Sequence, residues 1–139
     1  MMPPQLSITP DLQFSVICDD VRREDNGKLI LSGLFEVIGA AQYPAVHPRL
    51  FVVNRWCKGE GSYAQKIRMM NAQDNTTILE TKDQSFVLKD IDSNHTLISE
   101  FNNVKFPVAG KYWIEVFLGQ TLILNYPIKL VQHAHPART

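Results

Sequence analysis

Cysteine, charge of one sign and long apolar runs are what this 139-residue chain has little of. Its two cysteines, Cys18 and Cys57, stand tens of residues apart and away from His47 and His95, so no zinc-type spacing exists. Buried, reduced thiols are the expectation, because a disulfide would need the two strands side by side at matching heights. Lys plus Arg and Asp plus Glu both number 14. That balance argues against nucleic acid, whose phosphates need clustered cations; the one basic doublet, Arg22-Arg23, runs straight into Glu24-Asp25. No stretch of 18 apolar residues occurs, so no membrane span is expected. The opening MMPPQLSITPDLQF shows no basic segment leading into an apolar run. A cytoplasmic location is therefore expected.

What is present is β pattern. A chain of this length buries roughly 68% of its unfolded surface and needs no metal or cross-link for a core. Residues 13–19 alternate, with Phe14, Val16 and Cys18 on one side. Asn26-Gly27 is a hairpin signal of the type I′ kind, since both central positions of that turn take positive φ. KLILSGLFEVIGA (28–40) reads as one strand, bent or bulged at Gly33 or Gly39. AQYPAVHPR reads as a loop, and strands follow at 50–57, 62–72, 84–88, 97–106 and 111–118, with a hairpin return at TTILE. The last strand, TLILNYPIKLV, contains Pro127, which places it at an edge or breaks it there. The ordered domain is expected over 12–131, with flexible arms at 1–11 and 132–139.

No window shows a helical stripe, so the expected fold class is all-β, an antiparallel two-sheet β-sandwich of immunoglobulin-like type. Gly110-Lys111-Tyr112 carries that choice. A Gly before a Tyr at the start of a late strand is the pattern of the tyrosine corner. PVAGKYWIEV resembles the late strand of immunoglobulin-like and fibronectin-like sandwiches, but Ile114 stands where a true immunoglobulin domain has its second cysteine. The likeness therefore implies architecture and no antibody-type function. At a wider scale, NGKLILSGLFEVI, LFVVNRW and AGKYWIEVFL, in that order, resemble a family of small uncharacterised bacterial proteins over about residues 14–131. That resemblance implies the fold and supplies no activity.

Chemistry-bearing constellations are few. Asp90, Asp92 and Asn94 have the opening spacing of an EF-hand loop, yet its sixth position is His95 and its twelfth Phe101. His133 and His135 could share a strand face, but they lie in a proline-flanked tail. No nucleophile elbow, phosphate-binding loop or paired acid–base carboxylates can be read, and Cys57 beside Lys58 reads as a packed thiol. The expectation is a protein that is not an enzyme and has no metal or cofactor.

One face does stand out. If Tyr112 points inward, Trp113, Glu115 and Phe117 point out, with Trp56 a further candidate for the same patch. A three-residue loop after Leu118 would turn Leu122, Leu124, Tyr126, Ile128 and Leu130 inward; a two-residue loop would turn Leu122, Leu124 and Tyr126 out. The apolar run favours the former. A monomer seldom leaves so large an apolar patch in water. Three covers are conceivable: a loop or arm of the chain, a second copy or protein partner, or a sugar stacked on the rings. The expected role is protein–protein association, by self-assembly or docking, through Trp113, Phe117, Trp56 and Glu115 or through an edge strand. The alternative is a small-ligand or carbohydrate-binding module built on the same aromatics or the end loops. Glu115 is read as pairing with a Lys or Arg across the sheet.

Overall fold

The computed structural model describes residues 8–133, so most of both expected arms, His135 included, lies outside the described residues. Ten strands make up the fold: β1 (Asp11–Arg23), β2 (Leu29–Leu34), β3 (Val37–Ala40), β4 (Ala45–Cys57), β5 (Gly61–Asn71), β6 (Thr77–Glu80), β7 (Gln84–Leu88), β8 (Asn94–Phe106), β9 (Gly110–Leu118) and β10 (Thr121–Gln132). They form two sheets, β2-β1-β4-β8 and β3-β10-β9-β5-β6, with β7 pairing β5. Every pairing is antiparallel except that of β3 with β10. The chain is an all-β two-sheet sandwich of immunoglobulin-like type, as the strand spacing predicts.

Period-two alternation aims one side of each sheet at the other. Ile17, Leu50, Val52, Val104 and Phe106 of the first sheet meet Ile67, Met69, Tyr112, Ile114, Ile128 and Leu130 of the second, all nearly or fully buried. Each such side chain contributes about 1.5–3 kcal/mol by burial. The tyrosine corner is formed: the Tyr112 hydroxyl donates to the Val108 carbonyl at 2.7 Å, and its ring meets Phe106 edge-on at 5.1 Å. The corner therefore fixes the phase of β9, with Ile114 and Val116 fully buried beside Tyr112.

Several boundaries differ from the sequence reading, each for a physical reason. The expected single strand over 28–40 is two, because the chain leaves the first sheet after Leu34 and joins the second at Val37. The expected loop before Leu50 is strand from Ala45 on, pairing β8. Pro48 is tolerated there because β4 meets β1 only from Phe51 onward, leaving one side of β4 open. The turn at Asn26-Gly27 is not type I′: the Gly27 amide donates to the Glu24 carbonyl, and of the two central residues only Gly27 takes a positive φ, 85°. That is a type I turn closed by a glycine, the three-residue hairpin solution. The loop between β9 and β10 has two residues, Gly119 and Gln120, not three, so Leu122 pairs Phe117. A bulge between Leu122 and Leu124 then shifts the register by one, and Tyr126, Ile128 and Leu130 turn inward after all. β1 begins at Asp11 and β10 ends at Gln132, one residue outside 12–131 at each end.

The outer face of the first sheet carries a further packed cluster. Cys18 and Val53 are fully buried there and Phe51 nearly so, with Phe14, Val16, Val21 and Leu31 against them. Arg55 pairs with Phe14, and a straight β1 would carry Arg23 roughly 30 Å beyond that point. Yet Arg23 and Arg55 line one hollow. The β1–β2 hairpin therefore doubles back, past the last β1–β4 pair at Cys18, and lies over the outer face of its own sheet.

Candidate interaction surfaces

Trp113, Glu115 and Phe117 do point away from the interior, each aligned with an outward residue of β5: Met70, Arg68 and Lys66 respectively. The rings are not bare. Lys66 Nζ and the Arg68 guanidinium each lie 5.0 Å from the Phe117 ring centre, and Lys111 Nζ lies 4.7 Å from that of Trp113. Glu115 accepts from Arg68 Nε at 2.7 Å and is 7% exposed, which is the cross-sheet pair expected of it. Lys66 and Arg68 also reach Glu80 on β6 at 3.5 and 4.0 Å. Among the described residues, long cationic side chains lay their apolar stems and charged heads over the aromatics.

Trp56 does not belong to that patch. It is fully buried between the sheets, stacked on Phe86 at 5.5 Å. Its indole Nε1 donates to Gln65 Oε1 at 2.8 Å, and Asn54 Nδ2 donates to the same oxygen at 3.0 Å. Gln65 Nε2 donates on to Gln84 Oε1, and Gln84 Nε2 to Ser99 Oγ. The buried indole needed an acceptor on the opposite sheet, and Gln65 provides it. One signal did exist in the sequence: Trp56 shares the parity of Leu50 and Val52, which face the core.

The surface that sequence reasoning left undeveloped lies along one side of the sandwich. β2 pairs β1 only from Cys18 onward, and β3 pairs β10 only from Lys129 onward. The segment 29–40 thus closes half of that side as it crosses between sheets. The other half, β1 before Cys18 and β10 over 121–128, has no strand beyond it among the described residues. Leu122, Ile123 and Leu124 stand there in succession at 44%, 37% and 38% exposure. A cleft of about 520 Å³ opens beside them, lined by Leu12, Cys57, Ile123 and Leu124, with the Asp11–Lys58 ion pair at its rim. Farther along, Tyr126 and Ser15 join the two sheets by a hydroxyl–hydroxyl contact of 3.0 Å, and burial pushes the Tyr126 phenol up to about 12.

The remaining candidates are structural. Asp90 Oδ1 accepts from the Asp92 amide and the Ser93 hydroxyl, a turn that binds itself. Cys18 pairs with Phe51 and Cys57 with Asp11, so the thiols sit roughly 20 Å apart along the ladder, both free. Burial raises the Cys18 thiol above its ordinary value. No group of three or more His, Cys, Asp or Glu side chains among the described residues is arranged to hold a metal ion. No helix among them is long and apolar enough to cross a membrane.

Residues 13–131 match a family of unknown function, DUF6941, and the chain belongs to that family. No curated protein matches the sequence. Among solved structures, the chain is similar to the Pseudomonas fluorescens alkylpurine DNA glycosylase AlkC bound to DNA containing an abasic site analog, with a TM-score of 0.51, 9% identity, and 84% of this chain and 30% of that one covered. It is similar to a β-glucosidase from Listeria innocua in complex with glucose, with a TM-score of 0.53, 6% identity, and 91% and 17% of the two chains covered. An immunoglobulin-like protein from Pseudomonas aeruginosa superposes at a TM-score of 0.41 with 14% identity over 92% and 99% of the chains. The chain thus spans less than a third of the first two proteins. At such identities the shared feature is the sandwich alone.

Proposed function

For a member of a family of unknown function, we propose a non-enzymatic association module whose open β10 edge pairs with the same edge of a second copy. The observation that carries the reading is an edge stretch without charge, bounded by the bulge at Leu122/Leu124 and by Pro127. Natural edges are blunted by charges, and β8, the far edge of the first sheet, carries Glu100 and Lys105. Residues 119–128 of the hairpin and β10 contain no charged residue, and three apolar side chains in succession face solvent. A two-fold antiparallel pairing of this stretch with its copy opposes no like charges. The half-closed side supports the same geometry, since the chain's own 29–40 segment already completes the neighbouring half. The Trp113/Phe117 face supports association less, and the carbohydrate-platform alternative less still, because Lys66, Arg68 and Lys111 occupy the ring faces.

Sedimentation equilibrium tests the reading. A dimer is expected at about 100 μM, a concentration that detects associations stronger than about 5.5 kcal/mol. Ile123→Lys should give a monomer with an unchanged thermal midpoint. A parent chain that stays monomeric, or an Ile123→Lys chain that dimerises equally well, sinks the proposal.

A further inference from the structure

Between the tip of the folded-back hairpin and the sheet beneath it lies a hollow of about 670 Å³. Arg23 and Lys28 line it from the hairpin, Arg55 from β4, and Asn94, His95 and Thr96 from β8. No carboxylate lines it; Glu24 and Asp25 belong to the same turn but do not reach its wall. Among the described residues, none of Arg23, Lys28 and Arg55 is ion-paired.

The manner in which these cations are held is what points to a ligand. Arg55 Nε donates to Thr96 Oγ1 at 2.8 Å, and its guanidinium lies 5.4 Å from the Phe14 ring centre. Arg23 Nη1 donates to the Gly27 carbonyl at 3.2 Å. Both guanidinium groups are thus positioned by neutral partners. A carboxylate would have fixed them equally well and cancelled their charge; a hydroxyl, a ring and a carbonyl fix them and leave the charge available. Arg68 shows the opposite arrangement on the second sheet, bound to Glu115 and Glu80. A planar guanidinium with free N–H groups matches two oxygens of a tetrahedral oxyanion, and Lys28 adds a mobile point charge. The volume lies in the range of small-molecule sites and leaves room for more than the anion itself. Asn94 and Thr96 add polar groups beside it.

We infer that this hollow binds the phosphate group of a small phosphorylated metabolite, with Arg55 as the principal contact and Arg23 and Lys28 completing the charge. The site is independent of the β10 edge and of the association proposed there.

The test is a titration of the full chain with ribose 5-phosphate, inorganic phosphate and uncharged ribose, followed by calorimetry and by the amide and Arg Nε signals in NMR. Ribose 5-phosphate is expected to saturate and to shift the signals of Arg55, Lys28 and Thr96; inorganic phosphate should do so more weakly, and ribose not at all. Arg55→Lys keeps the charge and loses the two-pronged geometry, so affinity should fall about tenfold. Lys28→Gln, a change at an exposed side chain, should weaken binding about threefold. Three results overturn the assignment. One is no response to either phosphate at about 20 mM, where any site stronger than about 2.3 kcal/mol would register. The second is an equal response to ribose and ribose 5-phosphate. The third is Arg55→Lys and Lys28→Gln both binding as the parent does, which reports diffuse surface charge in place of a site.

Discussion

The two sheets face the same difficulty on their outer sides and meet it differently. On the first sheet, Cys18, Phe51 and Val53 lie under the chain's own hairpin and are shut off from water. On the second, the described residues that lie over Trp113 and Phe117 are the side chains of Lys66, Arg68 and Lys111, and the rings remain half-buried. Backbone laid over a face excludes solvent almost completely, and so works like a small additional core. Side chains laid over a face leave the rings partly wet and can be displaced at low cost. An apolar residue on the outside of a sandwich is therefore no evidence of a partner until what lies above it is known. One run of unmet apolar side chains, Leu122–Leu124, lies on neither face but at the edge between them.

The contrast can be broken by substitution. The largest effect is expected from Phe51→Ala, which removes a ring from beneath the hairpin and should cost about 3–5 kcal/mol in urea unfolding. Hydrogen exchange of residues 19–34 should accelerate with it. A loss below about 1 kcal/mol would mean that the hairpin does not cover this face.

Next in size is a change inside the sandwich, which leaves both outer faces alone. Tyr126 titrates near 12 when folded against about 10 when unfolded. The folded chain keeps a proton that the unfolded chain releases, so this contribution is complete below about pH 10 and fades as pH climbs toward 12. The loss should be on the order of 2 kcal/mol, and Tyr126→Phe should reduce the slope, leaving the part that belongs to Cys18, Tyr43 and Tyr112, which burial also raises. An unchanged alkaline slope in that variant would assign it to another group.

The smallest effect is expected on the second sheet's outer face. Phe117→Ala should cost about 1 kcal/mol and Lys66→Ala about 0.5 kcal/mol, because the ring is only partly covered and the cation is worth little in water. A Phe117→Ala loss as large as that of Phe51→Ala would erase the distinction between the two faces.

Much of this was legible from local pattern. Tyr112 after Gly110 announced the corner, and from it the outward sense of Trp113, Glu115 and Phe117 followed by counting in twos. The pairing of Glu115 with a cation across the sheet followed from the same count. Trp56 was misplaced because its partner, Gln65 on the opposite sheet, which accepts from the indole N–H, lies outside any local pattern. The two-residue loop at Gly119-Gln120 was hidden by the bulge at Leu122/Leu124, since the two slips together leave Tyr126, Ile128 and Leu130 inward as expected, while Leu122 and Leu124, also expected inward, stay exposed. The hairpin that folds back had no local signature at all.

Alternation, turn residues and the Gly–Lys–Tyr corner by themselves determined the all-β class and the phase of β9, because these depend on neighbours a few positions apart. Tertiary structure alone decided that 28–40 divides between two sheets, that the β1–β2 hairpin covers Phe51 through Val21 and Leu31, and that no described strand lies beyond β10 over 121–128. It also brought Arg23 and Arg55 to one hollow. Each of these follows from where distant segments meet, and a pattern of period two is the same whether the face it describes ends up under backbone, under lysines or under water.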